Sequence, residues 1–151
     1  YPLNPFIIGL QALLVFLLGQ ISLAPPQFLV PFYPRTCWIL FTIFFLSSHI
    51  KDLKDVSADS QCGIATLPVL LGSQKARWVT AFFVFFSYLL APWLFASFFT
   101  HSVLFWLALL LGGANFFYII RKNSRELFVF VSYLIFGSIL LVFFINQVFF
   151  S

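Results

Sequence analysis

"HIKDLKDVSADSQCGIATLPVLLG", residues 49–72, is a polar island in an otherwise apolar chain. On either side the sequence runs in Phe, Leu, Ile and Val. Inside it stand Asp52, Asp55 and Asp59, three of the 4 acidic residues in the chain. What surrounds the island decides the fold. Hydrophobic residues make up 62% of the chain, charged residues 8%, and the mean hydropathy is +1.06. A soluble domain carries about 25% charged residues to cover its surface. With so few charges, this chain needs lipid as its solvent.

The apolar runs predict five transmembrane helices, near residues 6–24, 36–50, 78–99, 103–120 and 127–149. Together they make an all-α, polytopic helical bundle and a single transmembrane domain over residues 1–151. Most runs approach the length of about 20 residues that crosses a bilayer core of about 30 Å. Prolines at 25, 26, 31 and 34 break the chain between the first two runs, because no helix interior accepts them. The second run is short, which predicts that its helix continues beyond the hydrocarbon into the acidic stretch. No basic segment, short apolar core and cleavage site precede the first run, so it reads as a span. The chain has no Met and begins at Tyr1, which predicts a piece of a longer protein. Cys37 and Cys62 have no ligand-like spacing and read as two free thiols.

The basic residues orient the spans. Lys51, Lys54, Lys75 and Arg77 flank the acids, and Arg121, Lys122 and Arg125 lie between the fourth and fifth runs. Five spans place both groups on one side, and the positive-inside rule makes that side, with the aspartate-rich loop at 49–72, cytoplasmic. Arg121, Lys122 and Arg125 would also meet anionic headgroups of the membrane lipids. The net charge of +4 reflects this placement. With no clustered basic face and no nucleic-acid motif, nucleic acid is not a partner.

Asp52, Asp55 and Asp59 stand at i, i+3 and i+7, which on a helix places them on one face within about 60°. Lys51 and Lys54 would project elsewhere. Three carboxylates together repel one another unless a cation sits among them, although a solvated loop could instead pair them with lysines. Mg²⁺ suits hard oxygen ligands and commonly bridges one or two carboxylates to a substrate phosphate. Such a site asks for Mg²⁺ and a phosphorylated substrate at the membrane surface. Gly63, Thr66, Leu67, Pro68 and Gly72 follow at once and read as a tight turn, a break and a restart before the third span.

The stretch "KDLKDVSADSQCGIATLPVLLG" resembles the second aspartate-rich motif of the UbiA superfamily of intramembrane prenyltransferases. The opening "YPLNPF" resembles the Tyr-Pro segment that enters the fifth of that family's nine helices, so the five spans look like helices five to nine. The resemblance implies an Mg²⁺-dependent prenyltransferase. It would move an isoprenyl group from an allylic isoprenyl diphosphate to a lipophilic, often aromatic, acceptor within the membrane. Asp52, Asp55 and Asp59 would be the catalytic and metal-binding residues, and Lys51, Lys54 and Tyr1 would bind substrate. Several positions depart from the family pattern. Ala58 stands where the family has Gly, Ala65 where a basic residue is common, and residues 6–10 are apolar where basic residues usually follow. The family's first aspartate motif does not occur in these 151 residues. The implied partner is therefore a missing N-terminal half carrying that motif. The alternative is a non-catalytic UbiA-like membrane subunit with a structural or assembly role.

Other polar residues stay open. His49 would assist a proton transfer or pack near the interface. Asn115, Tyr118 and Tyr133 lie within spans and would either bond between helices or touch the acceptor. Gly112 and Gly113 would let helices approach closely. The 24 Phe are ordinary lipid-facing residues, and none is assigned to the site.

Overall fold

The computed structural model describes residues 3–23, 34–94, 102–121 and 125–150. The Pro-rich break at 24–33, Tyr1, Lys122 and the polar turn at 100–101 lie outside them. The described residues are helical, with no strand among them.

Five long helices form: α1 (Leu3–Leu23), α2 (Pro34–Ser48), α5 (Ser73–Leu90), α6 (Ser102–Ile120) and α7 (Glu126–Phe150). Two short ones, α3 (Val56–Gln61) and α4 (Leu67–Leu71), lie between α2 and α5. Proline marks the helix boundaries. Pro34 occupies the first position of α2, where its missing N–H costs no hydrogen bond. Pro92 cannot donate to the Tyr88 carbonyl, and α5 passes there into a 3-10 turn, Ala91–Leu94. Residues 73–94, 103–120 and 126–143 are long and apolar enough to cross a membrane. α1 is 21 residues long, of which Leu3–Gly19 form an apolar stretch among the described residues, and α2 has only 15 residues. Large apolar side chains face outward, among them Phe117 (70% exposed) and Leu110 (66%). That surface suits lipid and not water.

The predicted continuation of α2 does not occur. The helix stops at Ser48, a turn carries His49 and Ile50, and a 3-10 turn spans Lys51–Leu53 before α3 begins. The Ser47 and Ser48 hydroxyls donate to the Phe44 and Phe45 carbonyls, and such local bonds weaken and bend a helix end. The tight turns that follow use glycine. At the end of α3, Gly63 has φ +66°. The Ile64 N–H bonds the Asp59 carbonyl and the Gly63 N–H bonds the Ser60 carbonyl, the paired bonds of a Schellman cap. Gly72, at φ +80°, then turns the chain from α4 into α5.

α1 packs on α2, α2 on α5, and α5 on α6. Gly112 makes the last contact possible, because a Cβ there would lie 3.1 Å from the Tyr88 Cβ and 3.2 Å from Phe85 Cδ2. Gly113 meets nothing, so only one of the two expected glycines serves close approach. α7 joins through Val129, Phe136 and Leu140, which are buried with Ala81, Val84 and Tyr88 of α5 and Leu104, Ala108 and Ile119 of α6.

Polar side chains tie these three helices together. Asn115 Nδ2 donates to Ser132 Oγ at 2.8 Å and to Tyr88 Oη at 3.3 Å, and the Tyr88 and Ser132 hydroxyls are 2.7 Å apart. Tyr133 bonds Ser87, whose hydroxyl donates to the Val84 carbonyl. The Tyr88 and Tyr133 rings stack at 4.5 Å. Asn115 and Tyr133 are thus interhelical bonders. Tyr118 instead accepts the Arg125 N–H at 3.0 Å and packs on Phe128. Interhelical hydrogen bonds in membranes are individually modest. Ser132→Ala is therefore expected to lower stability by about 1 kcal/mol, read from unfolding titrations in detergent. An unchanged midpoint would show that the network does not bind α7 to the bundle.

Candidate functional site

The acidic segment sits at one end of the bundle, beside the start of α5, the end of α6 and the start of α7. Arg77 of α5 fixes that end by donating to the Arg121 carbonyl at 2.9 Å and the Ile119 carbonyl at 3.4 Å. These are carbonyls at the C-terminus of α6, where a cation is favoured.

The three aspartates occupy three local settings, because the chain there is not one helix. Asp52 lies in the 3-10 turn, Asp55 at the N-cap of α3 and Asp59 in its first turn. The shared helical face expected from their spacing does not form. Among the described residues no three His, Cys, Asp or Glu side chains lie together closely enough to hold a metal ion. Asp52 is half-buried, and its Oδ2 is 3.5 Å from His49 Nδ1, at the outer limit of a hydrogen bond. His49 packs between Phe45 and Phe83, with ring centroids at 5.6 and 5.3 Å. Its Nδ1 and the Thr66 Oγ1 are buried without a hydrogen-bond partner among the described residues. Cys37 is buried and Cys62 exposed, and both are free.

Asp55 stands at the mouth of a groove of about 700 Å³ between α2 and α7. Lys51, Asp55 and Glu126 line its polar end. The walls are apolar, from Leu40, Ile43 and Phe44 on α2 and Phe130, Leu134 and Leu140 on α7. Lys51, expected to project away from the acids, shares this groove with Asp55 four residues on. Lys54 faces a smaller cavity of about 160 Å³ with Leu53, Arg77 and Glu126, and its Nζ lies 3.3 Å from Glu126 Oε1. The lysine is 70% and the glutamate 40% exposed, so solvent screens the pair and it adds under about 1 kcal/mol. Lys54→Gln should leave the unfolding midpoint nearly unchanged, and a large drop would contradict this surface reading.

Glu126 was not singled out in the sequence. As the fourth carboxylate, next to a basic cluster, it carried a weak signal, but only folding brings it to residues 51–55. The apolar groove wall had no sequence signal, since its residues look like any others in a span.

The sequence pattern of the UbiA prenyltransferase family matches residues 1–127. The chain belongs to this family. No curated protein and no solved structure matches it significantly. Membership in the UbiA family makes the chain an integral membrane protein of a prenyl-transferring class, in keeping with its apolar helices. The match ends at the second residue of α7, so the α7 wall of the groove lies almost wholly outside the matched residues.

Proposed function

We propose that the protein transfers an isoprenyl group from an allylic isoprenyl diphosphate to a lipophilic acceptor within the membrane. One observation carries this reading: the aspartate-rich segment of a UbiA family member opens directly onto a long apolar groove between two helices. A diphosphate at residues 51–59 and its hydrocarbon chain along α2 and α7 would place each part of one amphipathic substrate in a matching environment.

Asp52, Asp55 and Asp59 are the residues that would hold Mg²⁺. Their hard oxygen donors fit a cation that takes one or two carboxylates and completes its shell with water and phosphate. The separate settings of the three acids do not form a ready-made cage. When bound, the ion neutralises diphosphate charge and aids its departure. Lys51, at the groove mouth, adds a positive charge toward the same group. The allylic carbon–oxygen bond breaks with its electron pair going to the diphosphate, and the carbon then bonds to the acceptor, which gives up a proton. Phe130, one helical turn from Glu126, and Phe44 on the facing helix line the groove, where aromatic faces stabilise developing positive charge. The apolar walls keep water from that carbon. The positive-inside rule places the acidic segment on the cytoplasmic side.

A second reading, a UbiA-like subunit without catalysis, draws on the unconverged carboxylates and on Ala58 and Ala65. Labelled allylic diphosphates supplied with Mg²⁺ to membranes containing the full-length protein separate the two. Prenylated, solvent-extractable product above that of control membranes is expected. Its absence across donors and acceptors would favour the subunit.

A further inference from the structure

We propose that Glu126 takes the proton that the acceptor loses, working from the α7 side of the mouth while the aspartates hold the diphosphate from the other. This rests on the prenyl-transfer reading and assigns a step that reading leaves without a residue.

The reaction needs a proton acceptor. The allylic carbon–oxygen bond breaks with its electron pair going to the diphosphate, and an electron pair of the acceptor forms the new bond. The acceptor then carries a positive charge until one of its bonds to hydrogen breaks and that electron pair returns to it. Hydrogen beside such a charge is strongly acidic, so an ordinary carboxylate within hydrogen-bond reach suffices as the base.

Among the described residues the groove offers five polar side chains: Ser47, Lys51, Asp55, Glu126 and Tyr133. An ammonium such as that of Lys51 has no lone pair to give. Ser47 and Tyr133 are neutral hydroxyls engaged elsewhere, Ser47 with the Phe44 carbonyl and Tyr133 with Ser87. Asp55 gives its lone pairs to the cation in the proposed site. Glu126 is left, on the opposite wall from the aspartates.

Folding fixes it there from two sides. The Arg125 N–H donates to Tyr118 Oη at 3.0 Å, and the Tyr118 ring packs on Phe128 at 4.4 Å, which pins the start of α7 to the end of α6. Lys54 Nζ, 3.3 Å from Oε1, holds the side chain toward the acidic segment. The glutamate is still 40% exposed, so the proton it takes can pass on to water and free the carboxylate for the next turnover.

The test follows both fates of the donor in membranes containing the full-length protein. They receive Mg²⁺, a labelled allylic diphosphate and a panel of phenols, hydroquinones and long-chain alcohols as acceptors. In Glu126→Gln the bonded intermediate keeps its proton and reverts, and water entering the mouth captures the freed cation as isoprenyl alcohol. The ratio of prenylated product to isoprenyl alcohol should fall about a hundredfold, the lower end of what a positioned base contributes. Donor consumption should stay near the wild-type rate. Glu126→Asp keeps a carboxylate and should recover part of the ratio. A defect in folding or diphosphate binding lowers product and alcohol together and leaves the ratio unmoved. An unmoved ratio in Glu126→Gln, or equal losses in the Gln and Asp variants, overturns the role of Glu126 while leaving prenyl transfer standing. No prenylated product from wild type with any acceptor overturns both.

Discussion

Asp55→Asn lowers prenyl transfer by about a hundredfold or more, and Asp52→Asn does the same. Asparagine keeps the size of the side chain and an oxygen, but removes the charge that a cation and a diphosphate require at the groove mouth. A lost electrostatic contact to the reacting group costs about 3 kcal/mol, or about a hundredfold in rate. Asp55 is exposed at the N-cap of α3 and its side chain makes no cap hydrogen bond, so its replacement should leave folding intact. Asp52 is more enclosed and touches His49, and Asp52→Asn needs a matched unfolding titration beside the activity measurement. Unchanged turnover in both variants, with normal expression, would remove the acidic segment from the reaction.

Gly9→Leu opens the α1–α2 contact. A Cβ at Gly9 would lie 2.9 Å from two ring carbons of Phe41 and 3.1 Å from its backbone carbonyl oxygen. The ring is itself held by Phe6 at 5.4 Å and Phe45 at 6.0 Å. Relief therefore requires the two helices to separate. Overpacking of this kind costs about 3 kcal/mol, visible as a lower unfolding midpoint and as new protease sensitivity. The position is far from the groove mouth, so activity should fall only with the amount of folded protein. A wild-type midpoint would show that α1 is free to move away from α2.

The helical architecture was legible because lipid imposes one rule on the whole chain: apolar runs, punctuated by proline and polar clusters, become helices. Expected and observed helix limits agree within a few residues for α1, α2, α6 and α7, whereas α5 (Ser73–Leu90) starts earlier than the expected 78 and gives way at Pro92 to a 3-10 turn well before 99. The 49–72 segment was legible as a motif but not as a shape. Spacing of i, i+3 and i+7 implies one face only if the backbone stays helical. Two serine hydroxyls that bond back to carbonyls, and a 3-10 turn after them, break that premise. The glycines after the acids carried better information, because a positive φ at Gly63 and Gly72 follows from what glycine alone tolerates. Asn115 and Tyr133 announced themselves as polar groups inside spans, yet which helix each would bond depended on rotation about the helix axis. The difference between Gly112 and Gly113 depended on the same rotation. Glu126 and the groove it borders arise from α2 and α7, elements some 80 residues apart, and no local pattern records that meeting.

The most direct measurement is photo-crosslinking with an allylic diphosphate that carries a photoreactive group in its hydrocarbon chain, in membranes containing the full-length protein. Mapped adducts should fall on α2 and α7, at Phe44, Phe130 or Leu134. They should disappear with excess unlabelled diphosphate and weaken in Asp55→Asn. Adducts confined to the outer faces of α5 or α6, or labelling indifferent to both competitor and Asp55, would contradict a diphosphate held at the aspartate-rich mouth of this groove.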